Sequence, residues 1–154
     1  MLHVGVYPED YARNQTARDA FREEHEIAPG TKVVTFAARL DSNKQPTVFC
    51  EVAYKILQNK THPALHFLVA GDGPERHALE RCFSGEKIKK HVTLLGYQTI
   101  EEMKAVMSAS DVLFLSSQME GIPCVFYEAM AARIPVVGPG VGGISELVLD
   151  GVTG

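Results

Sequence analysis

The sequence predicts an α/β domain of the doubly wound kind, a parallel sheet held between helices in three αβα layers. Three observations predict it. Short apolar runs alternate with longer segments of helical spacing, the runs are apolar at nearly every position, and the conformationally unusual residues gather just after the runs. A strand covered on both faces reads as a continuous apolar run, and helices between such strands make parallel neighbours.

Taken in order, residues 14–25 are predicted as a helix, and Pro29-Gly30 closes the connection after it. Strands are predicted at 33–38, 65–70, 92–95, 112–115 and 135–137, and helices at 47–59, 75–83, 100–108, 125–132 and 144–149. Right-handed crossovers between these units give a Rossmann-like layout. Residues 1–30 are read as a lead-in segment and helix, and 31–154 as the domain proper. Residues 1–7 form a short apolar stretch without an obvious partner strand, and the chain stops on a turn after Asp150-Gly151. Both ends suggest a fragment.

The bulk numbers narrow the function. At 154 residues, with 45% hydrophobic and 22% charged residues, the chain is one soluble globular domain's worth of material. A formal charge of −4 argues against nucleic acid as a partner, while a nucleotide needs only a few local cations. The cysteines Cys50, Cys82 and Cys124 are odd in number and form no CxxC pair, so they read as reduced thiols of a cytoplasmic protein. There is no apolar stretch long enough to span a membrane and no signal-peptide core. A peripheral membrane contact of a full-length protein stays compatible with the segment. No ligand cluster of known metal spacing occurs, no Gly-x-Gly-x-x-Gly follows the first strand, and no Gly-x-Ser-x-Gly is present. Metal, NAD and nucleophile-elbow chemistry are therefore not expected.

Where the unusual residues fall is the main functional signal. Arg39 follows the first strand, Gly71-Asp72-Gly73-Pro74 the second, Gly96-Tyr97 the third, residues 116–123 the fourth and 138–143 the fifth. In an open parallel sheet these loops share one edge, where ligands bind at the topological switch point. Glu120 lies in a loop and Glu128 in the helix that follows, with seven residues between them. The helix start offers unbonded amides and the positive end of a dipole, with Gly121, Ile122 and Cys124 as donors because Pro123 has no N–H. A carboxylate accepts both hydroxyls of a vicinal diol, which suits Glu128 to a ribose and Glu120 to a sugar ring. Arg39 and Lys44 supply two cations beside a helix opened by Pro46. An ammonium at that place is unfavourable unless an anion sits with it, so the pair suggests a metal-free diphosphate cradle.

These motifs stand in an order that resembles the retaining glycosyltransferases of family 4. The resemblance runs from about Arg39-Leu40 and Lys44, through residues 70–74 and 95–97, to Glu120-Gly121-Ile122-Pro123 with Glu128-Ala129-Met130-Ala131, then residues 135–137, 141–143 and Glu146. It covers most of the chain, and the Glu-x7-Glu block is its specific part. It implies a GT-B enzyme of two Rossmann-like domains, of which this is the C-terminal, nucleotide-sugar-binding one, with the N-terminal acceptor domain and a final C-terminal segment absent. It implies that Arg39 and Lys44 hold the diphosphate of a UDP- or GDP-sugar and stabilise the charge building on it. Glu120, with the amides of Gly121 and Ile122, would orient the sugar, Glu128 would bind the ribose, and Gly96 and Tyr97 would border the base. Gly71, Gly73, Ser116, Pro123 and Cys124 complete the expected donor-binding set. No cofactor is implied beyond the donor itself, and the isolated segment would catalyse little. Family members often have Gly before the Arg and Gly after the Lys, where this chain has Ala38 and Gln45. A nucleotide-sugar epimerase of the same fold and a non-catalytic nucleotide-sugar-binding module are the alternatives.

Overall fold

The computed structural model describes residues 5–59 and 61–154. Five strands, β1 (Lys32–Ala37), β2 (Leu65–Ala70), β3 (Val92–Gly96), β4 (Val112–Phe114) and β5 (Val136–Val137), form one sheet in the order β3-β2-β1-β4-β5. Every pairing is parallel, with β1 and β2 in register from Lys32↔Leu65 to Ala37↔Ala70. The helices are α1 (Gln15–Glu24), α2 (Pro46–Gln58), α3 (Arg76–Cys82), α4 (Glu86–Lys89), α5 (Ile100–Ala109), α6 (Cys124–Ala131) and α7 (Ile144–Leu147). The doubly wound α/β expectation holds, and the expected elements stand within a few residues of their predicted bounds.

All six residues of β2 are buried, the signature of a central strand covered on both faces. α2 turns Phe49, Cys50 and Ala53 inward. The Phe49 ring stands 5.4 to 6.4 Å from those of Phe36, Phe67, Phe83 and Phe114, joining α2 to three strands. α5 opens with a capping box in which Thr99 and Glu102 satisfy each other's backbone amides.

Two short helices escape the sequence pattern. The 3-10 helix Pro8–Tyr11 and the four-residue α4 are each about one turn long, too short to repeat an amphipathic stripe, and each is fixed by a single inward residue, Tyr11 or Ile88. Of the apolar stretch at 1–7, residues 1–4 lie outside the described residues.

The reduced state expected of the cysteines is corrected for two of them. α2 and α3 lie side by side, the Cα atoms of Cys50 and Cys82 are 6.5 Å apart, and the two are joined as a disulfide. The absence of a CxxC pair carried no information, because the bridge joins separate helices. Cys124 alone is free, and it is exposed. Among the described residues no helix is long and apolar enough to cross a membrane.

The lead-in helix is fastened to the N-terminal edge of the sheet by charge. Asp111, just before β4, accepts from Arg18 at 2.9 Å, from Arg22 at 2.8 Å and from the Val33 amide at 2.9 Å. Arg18 and Arg22 also donate to the carbonyls of Ser108 and Ala109 at the end of α5, where the helix dipole is negative. Burial raises the proton affinity of Asp111, but the Val33 amide and the two guanidinium groups together hold its carboxyl below the ordinary carboxylate range.

Replacing Asp111 by Ala leaves Arg22, which is 8% exposed, without its carboxylate, and should lower stability by about 3 kcal/mol in urea titration. Because the folded-state pKa is depressed, the unmodified protein keeps this contribution above the ordinary Asp range and loses it as pH falls through the depressed value. The variant's acid-unfolding curve should lack that component.

Candidate functional site

The strand order reverses at β1: its connection leads outward to β2, while the connection of its other neighbour, β4, leads to β5. The loops leaving these two strands part company, and such a parting is where open α/β sheets hold ligands. The two loops are stitched together. Asn43 donates through Nδ2 to the Met119 carbonyl at 3.0 Å and accepts from the Met119 amide at 3.1 Å, so its side-chain amide acts as one more peptide unit. The Gln118 amide donates to the Asn43 carbonyl at 2.8 Å. The Ser116 hydroxyl lies 2.9 Å from the carbonyls of both Lys44 and Gln45. Ser116, expected among the donor-binding residues, therefore spends its hydroxyl on the neighbouring loop.

Lys44 and Glu120 meet across this seam as an ion pair. The unfavourable ammonium before α2 is thus compensated by an anion of the protein's own. Glu120 also accepts from the Ser117 hydroxyl at 2.5 Å through the same oxygen, Oε1. The Lys44 side chain is 22% exposed and that of Glu120 only 8%.

A second set of contacts joins the ends of β1, β2 and β3. The Leu40 amide donates to the Asp72 carbonyl at 2.9 Å, and the Gly71 amide to the Gly96 carbonyl at 2.7 Å. Gly71 has φ 142°, and a Cβ there would collide with the Ala38 carbonyl. The glycine-rich loop after β5 does the same on the far side. Gly142 has φ 52°, and a Cβ on it would run into the Glu120 carbonyl. Glycine here permits close backbone approach rather than flexibility.

Between these loops lies a cavity of about 550 Å³ at the C-terminal edge of the sheet. Of the expected site residues it is lined by Arg39, Gly71, Gly73, Tyr97, Cys124 and Glu128. Lys44, Ser116 and Glu120 belong to the seam, Gly121, Ile122 and Pro123 carry the same loop on to α6, with Gly121 and Ile122 against Gly143, and Gly96 (φ 75°) makes the turn before Tyr97. The structure therefore does not bring Arg39 and Lys44 to one hollow. Arg39 is 73% exposed at the cavity, 3.6 Å from Asp41, and Lys44 turns to Glu120. α6 begins at the cavity after Pro123 with no side-chain cap, and its first two residues, Cys124 and Val125, line the wall. Among the described residues the amides of Cys124 and Val125 have no backbone partner and are open to an anion, while that of Phe126 donates to the Pro123 carbonyl at 3.0 Å.

Glu128 reaches the cavity from the second turn of α6. Burial pushes its carboxyl above the ordinary range, against the smaller opposing influence of the nearby Tyr11 hydroxyl. Tyr11 is itself pushed up to about 12, by burial first and then by the charge of Glu128. Asp72 lines the opposite wall, its carboxylate held by the Gly73 amide at 2.7 Å and Arg76 at 2.8 Å. Among the described residues no three His, Cys, Asp or Glu side chains gather where a metal ion could be held. Sequence reasoning missed Asn43, Ser117 and Tyr11. Ser117 and Asn43 adjoin residues it singled out, and their spacing from Glu120 and Lys44 was the available signal.

Comparison with known proteins gives a consistent set of relatives. The model of the family described as glycosyl transferases group 1 matches residues 17–154. The chain is 34% identical over 143 residues to the D-inositol 3-phosphate glycosyltransferase of Nocardia farcinica, covering 89% of this chain and 32% of that protein. It superposes with TM-score 0.84 and 25% identity on Anabaena Alr3699/HepE in complex with UDP-glucose, covering 97% of this chain and 41% of the other. A C-terminal domain of a group 1 glycosyl transferase from Francisella tularensis, LpcC, shares the fold at TM-score 0.78 and 20% identity, covering 95% of this chain and 76% of that one. The chain spans about a third of the length of the curated relatives it matches.

The departure at Gln45 has a measurable consequence. Gln45 caps α2 in the left-handed region (φ 47°), where a side chain is strained, whereas Ala38 is not among the positive-φ residues. Gln45→Gly should raise stability by roughly 1 kcal/mol in thermal or urea melts, and Ala38→Gly should lower it.

Proposed function

The chain belongs to the glycosyl transferases group 1 family, and on that premise we propose that it is the donor-binding domain of a retaining, metal-independent hexosyltransferase using a UDP- or GDP-sugar. The observation that carries this reading is the cavity itself, where the open start of α6, the Arg39 guanidinium and the half-buried Glu128 carboxylate converge. In this reading the diphosphate lies against the first-turn amides of α6 and Arg39. Glu128 accepts the ribose diol, and Tyr97 borders the base. The sugar then extends toward Glu120 and the amides of Gly121 and Ile122. As the glycosidic bond breaks, negative charge builds on the leaving diphosphate. Arg39, the α6 amides and Lys44, drawn from Glu120, offset that charge, which is the protein's main contribution to rate. The departing phosphate assists the acceptor on the same face of the sugar, so no side-chain nucleophile is needed. The acceptor would be supplied by a further domain, and a peripheral membrane contact of the whole enzyme fits the same reading.

Calorimetry on the chain tests it. UDP or GDP should bind more tightly than the matching monophosphate, and equal affinities for UDP and UMP would overturn the diphosphate placement. Arg39→Ala should weaken diphosphate binding by about 1–3 kcal/mol, the worth of a charge-assisted contact. Isomerisation of a free UDP-sugar by the chain would replace the transferase with an epimerase.

Glu128→Gln should weaken UDP binding while raising the unliganded melting temperature at neutral pH. The sign follows from its raised folded-state pKa: folding is penalised once the carboxyl must ionise, and the penalty disappears below the ordinary Glu range, where both states are protonated. The variant's advantage should therefore shrink in acid. Unchanged UDP affinity would remove Glu128 from the site.

A further inference from the structure

Glu120 is held asymmetrically. Its Oε1 takes both the Ser117 hydroxyl, at 2.5 Å, and the Lys44 ammonium, while Oε2 has no hydrogen-bond partner among the described residues. Among those residues no fully buried side-chain oxygen or nitrogen lacks a partner, so the unpartnered Oε2 keeps contact with solvent although the side chain is 8% exposed. One oxygen is saturated from inside and the other is presented outward. A carboxylate that accepts a ligand hydroxyl should be built this way, because its geometry is set before the ligand arrives.

We infer that Ser117 is a positioning residue that directs Glu120 toward the donor sugar by fixing its Oε1. The inference rests on the donor-domain reading. Ser117 is 2% exposed, so its hydroxyl touches no ligand and acts only through Glu120. Lys44 alone leaves the carboxylate free to turn, since an ammonium is a point charge on a flexible stem. The serine adds direction. The tandem serines divide the work: Ser116 holds the backbone that carries Lys44, and Ser117 holds the carboxylate that faces it. When a diphosphate draws Lys44 away, Ser117 is the remaining donor on Oε1 and keeps Oε2 aimed at the sugar.

The test compares two affinities on the full chain. UDP, UDP-glucose, GDP and GDP-mannose are titrated into the unmodified protein and into Ser117→Ala, and the ratio of nucleotide-sugar to nucleotide affinity is read for the base that binds. The unmodified protein should prefer the nucleotide-sugar, and Ser117→Ala should lower that ratio about tenfold, the loss of one hydrogen bond to a charged group. The affinity for the bare nucleotide should stay within about twofold, which a general loosening of the fold would not spare. Ser117→Thr, which keeps the hydroxyl, should restore the ratio. In a Glu120→Gln background, Ser117→Ala should have no further effect on the ratio, since the two residues act as one unit. An unchanged ratio, or an equal loss in both backgrounds, overturns the role of Ser117 while leaving the donor site standing. Failure of the unmodified chain to bind any of the four ligands overturns the donor reading, and this inference with it.

Discussion

A parallel sheet whose strand order reverses must place two strands side by side whose connections leave in opposite directions, and in this chain those strands are β1 and β4. The gap between their loops is unavoidable, and what spans it decides whether the edge is a site or a defect. Here it is spanned by peptide-like contacts from Asn43, by the Ser116 hydroxyl and by the Lys44–Glu120 pair. Glycines on either side let backbone lie directly on backbone, Gly71 over Ala38 and Gly142 over Glu120. The cavity walls combine alanine and glycine with the longer Met103, Tyr97 and Gln98, and charge enters at Arg39, Asp72 and Glu128.

Much of this was legible because it follows from periodicity and punctuation. Apolar runs located β1 to β5, and the residues after them fell on one edge because parallel strands allow nothing else. Arg39, Glu128 and Tyr97 could be placed at the cavity for that reason. Side-chain direction was not legible. Nothing in the spacing of Lys44 and Glu120 says that they satisfy each other, or that Ser116 faces the Lys44 loop while Ser117 faces Glu120. Adjacent residues point to opposite sides, and the register of a loop is set by contacts distant in sequence. The Cys50–Cys82 bridge was hidden for the same reason, as a contact between two helix faces. Gln45 shows the converse: a departure from the usual glycine was visible, but its left-handed φ was not.

The two edges of the sheet are built on opposite terms. At the N-terminal edge Asp111 is answered on both oxygens, Oδ1 by Arg18 and Oδ2 by Arg22 and the Val33 amide. At the C-terminal edge groups are left in unfavourable states: Glu128 is half-buried with its proton affinity raised, and Gln45 is twisted into a conformation better suited to glycine. Strain and unanswered polarity tend to collect where a ligand is received, and the surrounding fold must offset them. The arginine-fastened lead-in helix is part of that offset, and the segment before it sets Tyr11 near Glu128, where burial and the charge of that carboxylate raise the proton affinity of the phenol.

The link between α2 and α3 closes residues 50–82 into a covalent ring that contains all of β2 and the Gly71–Gly73 lip of the cavity. The ring crosses the outer surface at residues 61–64, where Thr61, Pro63 and Ala64 are exposed. A protease cutting there would open the circle without releasing either piece, and the bridge would still hold Arg39 on one piece to the Gly71–Gly73 lip on the other. Oxidised and thiol-treated samples should therefore run alike on a denaturing gel when intact and differently once nicked, so the bridge lets this exposed bend be lost without parting the chain.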